Sequence, residues 1–282
     1  MFMFAAAYGL ARTHQCRLHV PDGIRRELSA HFSMESIDES IWLSSERVAV
    51  LQNIVVRSTT CSFLPDLMRP HAFQNLEITG YWQSYLYFDL YRSEIQRMFS
   101  SRNETLIKLA KYFTQLTELD CPSCPSLPTT SHEALRDAFR TRGNITWIGI
   151  HIRRTDFHGI GYVSDDHYVR QAMAYYRRRY HNRRTRFLLA SDDKAYCQRL
   201  IAAEQGSRKA FVLPDHFSNS DDLMALTLCH HSIVTGGTYG FWAGYLAGGD
   251  VVHDVKYKAV CTRADYYPPW FLLAGIAVEK KQ

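Results

Sequence analysis

The stretch Thr146-Trp147-Ile148-Gly149-Ile150-His151-Ile152-Arg153-Arg154-Thr155-Asp156 sets an apolar run directly against four polar residues. Thr146–Ile152 reads as a buried strand, and the residues after it as the strand's exit. A strand alternates its faces, so His151 and Arg153 are expected to point one way while Ile150 and Ile152 pack the other. Two adjacent arginines leaving a buried strand are costly unless they meet anions. A guanidinium fork binds phosphate oxygens in pairs, through charge-assisted bonds of about 1.5–3 kcal/mol each. The structural alternative for Asp156 is an ion pair with Arg154.

From this strand onward the pattern is regular. Asp165–Tyr180 reads as a helix with Tyr168, Val169, Ala172, Met173 and Tyr176 on one face. Arg186–Ala190 is a strand and Asp192–Glu204 a helix. Ala210–Leu213 is a strand, and Asp221–His230 a helix capped by Ser218, Asn219 or Ser220. Ser232–Thr235, Tyr239–Ala247 and Asp250–His253 follow as strand, helix and last strand. Strands alternating with helices predict a parallel, doubly wound sheet, in which ligands bind beyond the carboxyl ends of the strands.

Two more polar clusters fall at such ends. In Ala190-Ser191-Asp192-Asp193 an acid either caps the next helix or hydrogen-bonds a ribose or base edge. In Val234-Thr235-Gly236-Gly237-Thr238-Tyr239-Gly240 the glycines admit close backbone approach, Thr238 offers a hydroxyl, and a helix N-terminus offers free N–H groups. No Asp-x-Asp occurs in the chain, so the usual carboxylate pair for bridging a divalent metal to a diphosphate is missing. Arginines are then expected to take over stabilisation of the leaving group, with no metal or other cofactor.

The half before Gly143 is less regular, and the change of pattern there sets an expected boundary at 142/143. Met1–His14 reads as a buried helix. Arg17–Val20, Val48–Val56 and Leu76–Tyr81 are strand candidates, whereas Tyr85–Ser100, Glu104–Leu116 and Ser131–Arg140 read as helices. Asp120–Thr130 is the loop. Its Cys121-Pro122-Ser123-Cys124 has metal-knuckle spacing but no second pair beside it, which favours a disulfide or plain thiols over zinc. Asn103-Glu104-Thr105 and Asn144-Ile145-Thr146 are glycosylation sequons. No run of about 18 apolar residues is present, and the first residues lack a basic leader, so the chain is expected to start abruptly inside a helix.

A chain of 282 residues holds one large domain or two, and 33 basic against 28 acidic residues suits anionic small molecules. Six arginines fall within residues 177–186. They sit at a helix C-terminus and its loop, where cations complement the dipole, and no nucleic-acid motif surrounds them, so no nucleic-acid partner is expected.

These segments, in order, resemble the galactoside 2-alpha-L-fucosyltransferases of glycosyltransferase family 11. Gly149–Asp156 is similar to the family's first signature, Ser191–Asp193 stands at its second, and Ser232–Gly249 looks like its third. Met3–Arg12 resembles the opening helix, Gly80-Tyr81-Trp82-Gln83-Ser84 the "GY-x-QS" segment, and Pro268-Pro269-Trp270 the "PxW". The resemblance implies a GT-B-like α/β fold, with two Rossmann-like domains facing a cleft. Residues 1–142 would serve the acceptor and 143–282 would bind GDP-fucose. It implies inverting, metal-independent transfer of L-fucose to a glycan hydroxyl, alpha-1,2 to galactose. Arg153 and His151 would hold the diphosphate with Arg154 in support, and Ser191 with Asp192 or Asp193 would read the nucleoside. Gly237, Thr238 and Tyr239 would cradle phosphate. Asp156 is the first candidate base and His158 the second. Family members are type II proteins of the Golgi lumen, glycosylated here at Asn103 and Asn144, and this sequence carries no anchor or stem. The family's Gly-Asn loop before the opening helix is also missing, which makes a non-catalytic GDP- or glycan-binding relative the alternative. Thr155 stands where vertebrate members usually carry Gly, and Arg153-Arg154-Thr155-Asp156 is similar to the "RRTD" of alpha-1,6-fucosyltransferases.

Overall fold

The computed structural model describes residues 1–34, 41–70, 75–118, 120–202, 209–254 and 261–273. The chain divides into two compact units, Met1–Ser100 with Ala259–Pro268 and Ser101–Lys258 with Pro269–Gln282.

In the first unit, helix α1 (Phe2–His14) buries Phe2, Phe4, Tyr8 and Leu10, as its apolar sequence predicts. Gly9 lets it lie against the chain at Tyr87, whose carbonyl oxygen would stand 2.0 Å from a Cβ at that position. Helices α2 (Asp22–His31) and α3 (Ser45–Val48) follow, then strands β1 (Ile54–Thr59) and β2 (Asn75–Gly80), paired in parallel with Ile54 opposite Asn75. Among the described residues this two-stranded sheet has fewer strands than a full Rossmann-like sheet. Three expectations change here. Arg17–Val20 contributes only the bridge between Leu18 and Trp42. The strand expected at Val48–Val56 starts at Ile54, because Ser45–Val48 closes a helical turn first. Tyr85–Ser100 is two 3-10 turns, Tyr85–Tyr87 and Asp89–Tyr91, before α4 (Arg92–Met98); Phe88, at φ −132°, interrupts the helix. The "GY-x-QS" segment is architectural: Trp82 is fully buried with its indole N–H on the Thr79 carbonyl (2.6 Å), and the Ser84 hydroxyl donates to the Asp265 carbonyl (2.6 Å). A Cys61–Cys261 disulfide fastens the same returning segment.

The second unit starts earlier than 142/143. Helices α5 (Asn103–Glu118) and α6 (His132–Thr141) belong to it, because Phe113 packs on Phe139 (4.6 Å between ring centres) and Phe139 on Trp147 (5.1 Å). Strand β3 (Ile145–Ile152), short helix α7 (Thr155–Ile160), α8 (Asp166–Arg179), β4 (Arg184–Ser191), α9 (Lys194–Ala202) and β5 (Ala210–Val212) come next. Then follow α10 (Asn219–Thr227), β6 (His231–Val234), α11 (Thr238–Ala247), β7 (Val251–His253) and β8 (Phe271–Leu273). The six strands are all parallel, in the order β5-β4-β3-β6-β7-β8. β8 extends the sheet beyond the strand expected to be last.

Every residue of β3 is buried, so both faces are covered. Ile148, Ile150, Ile152, Phe187, Leu189 and Ile233 meet the face of α8 that carries Tyr168, Val169, Ala172, Met173 and Tyr176. Each such side chain contributes roughly 1.5–3 kcal/mol by leaving water. The two tyrosines also carry polar tips into the sheet. Tyr168 donates to the Val234 and Val252 carbonyls (2.7 and 3.0 Å), and Tyr176 to those of Asp250 and Ser232 (2.8 and 3.2 Å). Chain direction across the sheet reverses between β3 and β6, which is where a doubly wound sheet opens its binding crevice.

Candidate functional site

The carboxyl ends of β3, β4 and β6 bring the three polar clusters together. His151 pairs in register with Val234 of β6, and Thr235 returns its N–H to the His151 carbonyl (3.1 Å). The Thr235 hydroxyl accepts the Arg153 N–H (2.8 Å), so the chain leaving β3 is stapled to the chain leaving β6. Thr235 is a site residue that sequence reasoning left without a role, although it stands inside the third cluster.

His151 is only 4 % exposed, and its ring lies 4.7 Å from that of Tyr239, whose hydroxyl is fixed on the Asn219 carbonyl (2.7 Å). Burial pushes the His151 pKa down to about 3, so the imidazole is neutral and offers an N–H rather than a charge. Its Nδ1 has no hydrogen-bond partner among the described residues, an unusual state for a buried polar atom. Gly240 faces that nitrogen from the first turn of α11. Gly237, at φ 99° and ψ 161°, opens the same turn in a conformation that needs glycine, and Thr238 after it is exposed.

The two arginines diverge. Arg153 forks onto Asp156, with Nε to Oδ1 at 2.8 Å and Nη2 to Oδ2 at 2.9 Å, while its Nη1 lies 3.3 Å from Asp192. Arg154 turns the other way. It stacks on the Tyr196 ring at 3.7 Å, donates to His158 Nε2 (3.0 Å) and stands 3.6 Å from Asp193. The alternative partner expected for Asp156 was Arg154. The turn from the end of β3 into α7 in fact delivers Asp156 to Arg153, three residues before it, and the hydrogen bond holds its carboxyl below the usual range. Tyr196, supplied by α9, had no sequence signal.

The two acids after β4 have distinct jobs. Asp192 accepts the N–H groups of Arg154 (2.9 Å) and Thr155 (3.1 Å) and the Thr155 hydroxyl (2.5 Å). It therefore caps α7 from a neighbouring strand. Asp193 accepts the Tyr196 N–H (2.9 Å) as the cap of α9, and its own N–H rests on the Ser191 hydroxyl (2.9 Å). Both candidate bases, Asp156 and His158, thus face arginines, and Ser191, Asp192 and Asp193 hold protein groups.

The remaining sequence features resolve as architecture. Within the basic run, Arg179 pairs with Asp250 (3.2 Å), Arg184 and Arg186 with Asp120 (3.1 and 2.5 Å), and Arg183 donates to the Ile145 carbonyl (3.1 Å). Cys121 and Cys124 form a disulfide. His230 accepts the Trp147 N–H on Nδ1, and His231 accepts the Asp250 N–H on its own Nδ1 (both 3.1 Å). Among the described residues no cluster of His, Cys, Asp or Glu is arranged to hold a metal ion, and no helix is long and apolar enough to cross a membrane. The sequon residues Asn103 and Asn144 are exposed; Asn103 opens α5, and Asn144 precedes β3 at the end remote from the polar clusters.

The chain also matches known proteins. The sequence model of "Glycosyl transferase family 11" matches residues 129–270, half of the chain. Over 144 residues the chain is 32 % identical to the cow protein "Galactoside 2-alpha-L-fucosyltransferase SEC1", covering 46 % of this chain and 39 % of that one. It is 25 % identical over 283 residues to the pig "Galactoside alpha-(1,2)-fucosyltransferase 2", covering 95 % of this chain and 74 % of the relative. The human "Galactoside alpha-(1,2)-fucosyltransferase 1" is 33 % identical over 139 residues, 44 % of this chain and 38 % of its own length. In two of these three comparisons the chain thus spans about two-fifths of its relative's length. The family match contains every polar cluster at the strand ends, and with it the chain belongs to glycosyl transferase family 11.

Proposed function

We propose that this chain transfers L-fucose from GDP-fucose to a glycan hydroxyl, alpha-1,2 to galactose, with inversion and without a metal. The observation that carries the reading is the coincidence of the family match with the crevice between β3 and β6. There an arginine fork, an unpartnered buried His151 nitrogen and a glycine-led helix N-terminus converge. Arginine and helix N–H groups suit a diphosphate, whose charge grows as the sugar departs. Arg153 would neutralise the leaving group, His151 would donate one neutral N–H, and Gly237 and Thr238 would let the phosphate approach the backbone. Arg154 and Asp192 act through the loop they hold. Tyr239, which covers His151, is the site's wall. In the GT-B-like arrangement we infer, the six-stranded unit takes the donor and the other unit the acceptor. The two disulfides suit an oxidising compartment, in accord with the Golgi lumen.

Arg153→Ala is expected to abolish transfer in a GDP-fucose assay with a galactoside acceptor, with the fold retained. Arg153→Lys should lose most activity, since a point charge does not reproduce the planar fork. A chelator should leave the rate unchanged. Near-full activity of Arg153→Ala at saturating donor would sink the diphosphate assignment, and loss of activity with chelator would sink metal independence.

A further inference from the structure

Both anion-binding devices of the crevice are covered by one short element. Asp156 fills the Nε–Nη2 edge of Arg153, and the Phe157 ring lies 3.4 Å from where a Cβ on Gly237 would stand. Asp156 and Phe157 both belong to α7, none of whose residues is buried. The start of α7 is pinned, because Asp192 holds the N–H groups of Arg154 and Thr155 and the Thr155 hydroxyl. Beyond that point it is loosely packed. A Cβ on Gly159 or Gly161 would meet nothing within 4 Å beyond the adjoining chain, and Gly161 takes the left-handed conformation at φ 73°. The Asp156 side chain is 58 % exposed and a carboxylate, the same chemical class as the phosphate oxygens that the fork would bind.

We propose that the donor's diphosphate and Asp156 compete for one edge of Arg153, and that the donor, by displacing Asp156, releases the carboxylate that accepts the acceptor's proton. This rests on the donor-site reading above and adds an order to it: donor first, acceptor second. While Asp156 is on Arg153 the hydrogen bond keeps its carboxyl acidic, and so a poor proton acceptor. Once displaced, it takes the proton of the acceptor hydroxyl as that oxygen bonds to C1 of fucose. The C1–oxygen bond to the β-phosphate breaks, and its electron pair leaves with GDP. When GDP departs, Asp156 gives its proton to water and returns to Arg153.

The test measures GDP affinity by calorimetry and GDP-fucose turnover in the wild type, Asp156→Asn and Asp156→Ala. Both variants should bind GDP about 3- to 10-fold more tightly, because the competing anion is gone. Their kcat should fall at least about 100-fold, the usual cost of losing a general base. Affinity and rate therefore move in opposite directions, which a merely structural Asp156 would not produce. GDP bound by the wild type but no more tightly by either variant overturns the exchange alone. Tighter binding with unchanged kcat overturns the base role. A wild type that does not bind GDP at all overturns the donor-site reading and this proposal with it.

Discussion

Gly240 shows how tightly single residues are specified around the crevice. A Cβ there would stand 2.9 Å from His151 Nδ1, 3.0 Å from the Thr235 carbonyl and 3.2 Å from the Val234 Cβ. The Thr235 carbonyl and the Val234 Cβ are held by β6 and its exit and cannot retreat, so His151 must move. Gly240→Ala is expected to lower stability by about 1–3 kcal/mol through overpacking and to weaken GDP binding in the protein that remains folded. Calorimetric GDP titration beside a urea melt separates the two, and an unaltered GDP affinity would remove His151 from the donor site. At this scale the sequence told which residues reach the strand ends. It did not tell whom they touch. Arg153, His151 and Gly237 stood out because charge and glycine follow an apolar run. The Asp192 contacts with Arg154 and Thr155, and the Tyr196 ring beneath Arg154, depend on β4 lying beside β3, which no local pattern encodes.

Among the elements, α10 and α11 end on the same side chain. Arg140 of α6 donates from Nε to the Leu228 carbonyl (3.1 Å) and from Nη2 to those of Thr227 (3.3 Å), Ala247 (2.8 Å) and Cys229. Burial lowers its pKa to about 10, still high enough to keep it charged. It supplies partners for carbonyls that a helix end leaves orphaned. Arg140→Met keeps the apolar stem and removes the donors. It is expected to cost on the order of 3 kcal/mol, as buried carbonyls lose their partners. The urea midpoint should fall while GDP still binds the folded fraction; a midpoint unmoved from wild type would mean that water replaces the guanidinium at no cost. Elements with a continuous buried face were legible. The Tyr168, Val169, Ala172, Met173 and Tyr176 stripe of α8 follows the helical period and is the face that is buried. α7 escaped because nothing in it is buried, and its cap comes from another strand. β8, three residues long, escaped because only its pairing with β7 makes it a strand.

At the scale of the whole chain the domain boundary was the least legible feature, because it is decided by long-range contacts. The loop around Cys121 looks like a linker, yet Asp120 beside it is fixed to β4 through Arg184 and Arg186. The return of Ala259–Pro268 to the first unit depends on Cys261 finding Cys61 and on Asp265 accepting the Phe63 N–H (3.2 Å). The second unit also stores an acid sensitivity that belongs to no single element. Burial pushes His132 and His151 down to about 3 and His230 and His231 to about 4; neighbouring arginines reinforce it at His132, His230 and His231, whereas Asp192 opposes it at His151. Their folded pKa values lie below the unfolded value of about 6.5, so below that pH the unfolded chain gains protons that the folded one refuses. Stability is therefore complete above pH 6.5 and is lost as pH falls towards 4. Asp222, which burial raises to about 6, works the other way and offsets roughly one histidine. The remainder amounts to a loss on the order of 5 kcal/mol between pH 6.5 and 5, comparable with the whole stability of a typical domain. Scanning calorimetry at pH 7.5, 6.5, 5.5 and 5.0 should show a Tm that is level at first and then drops steeply below 6.5. A Tm constant down to pH 5 would mean that these histidines protonate in place, and that water reaches them before the unit unfolds.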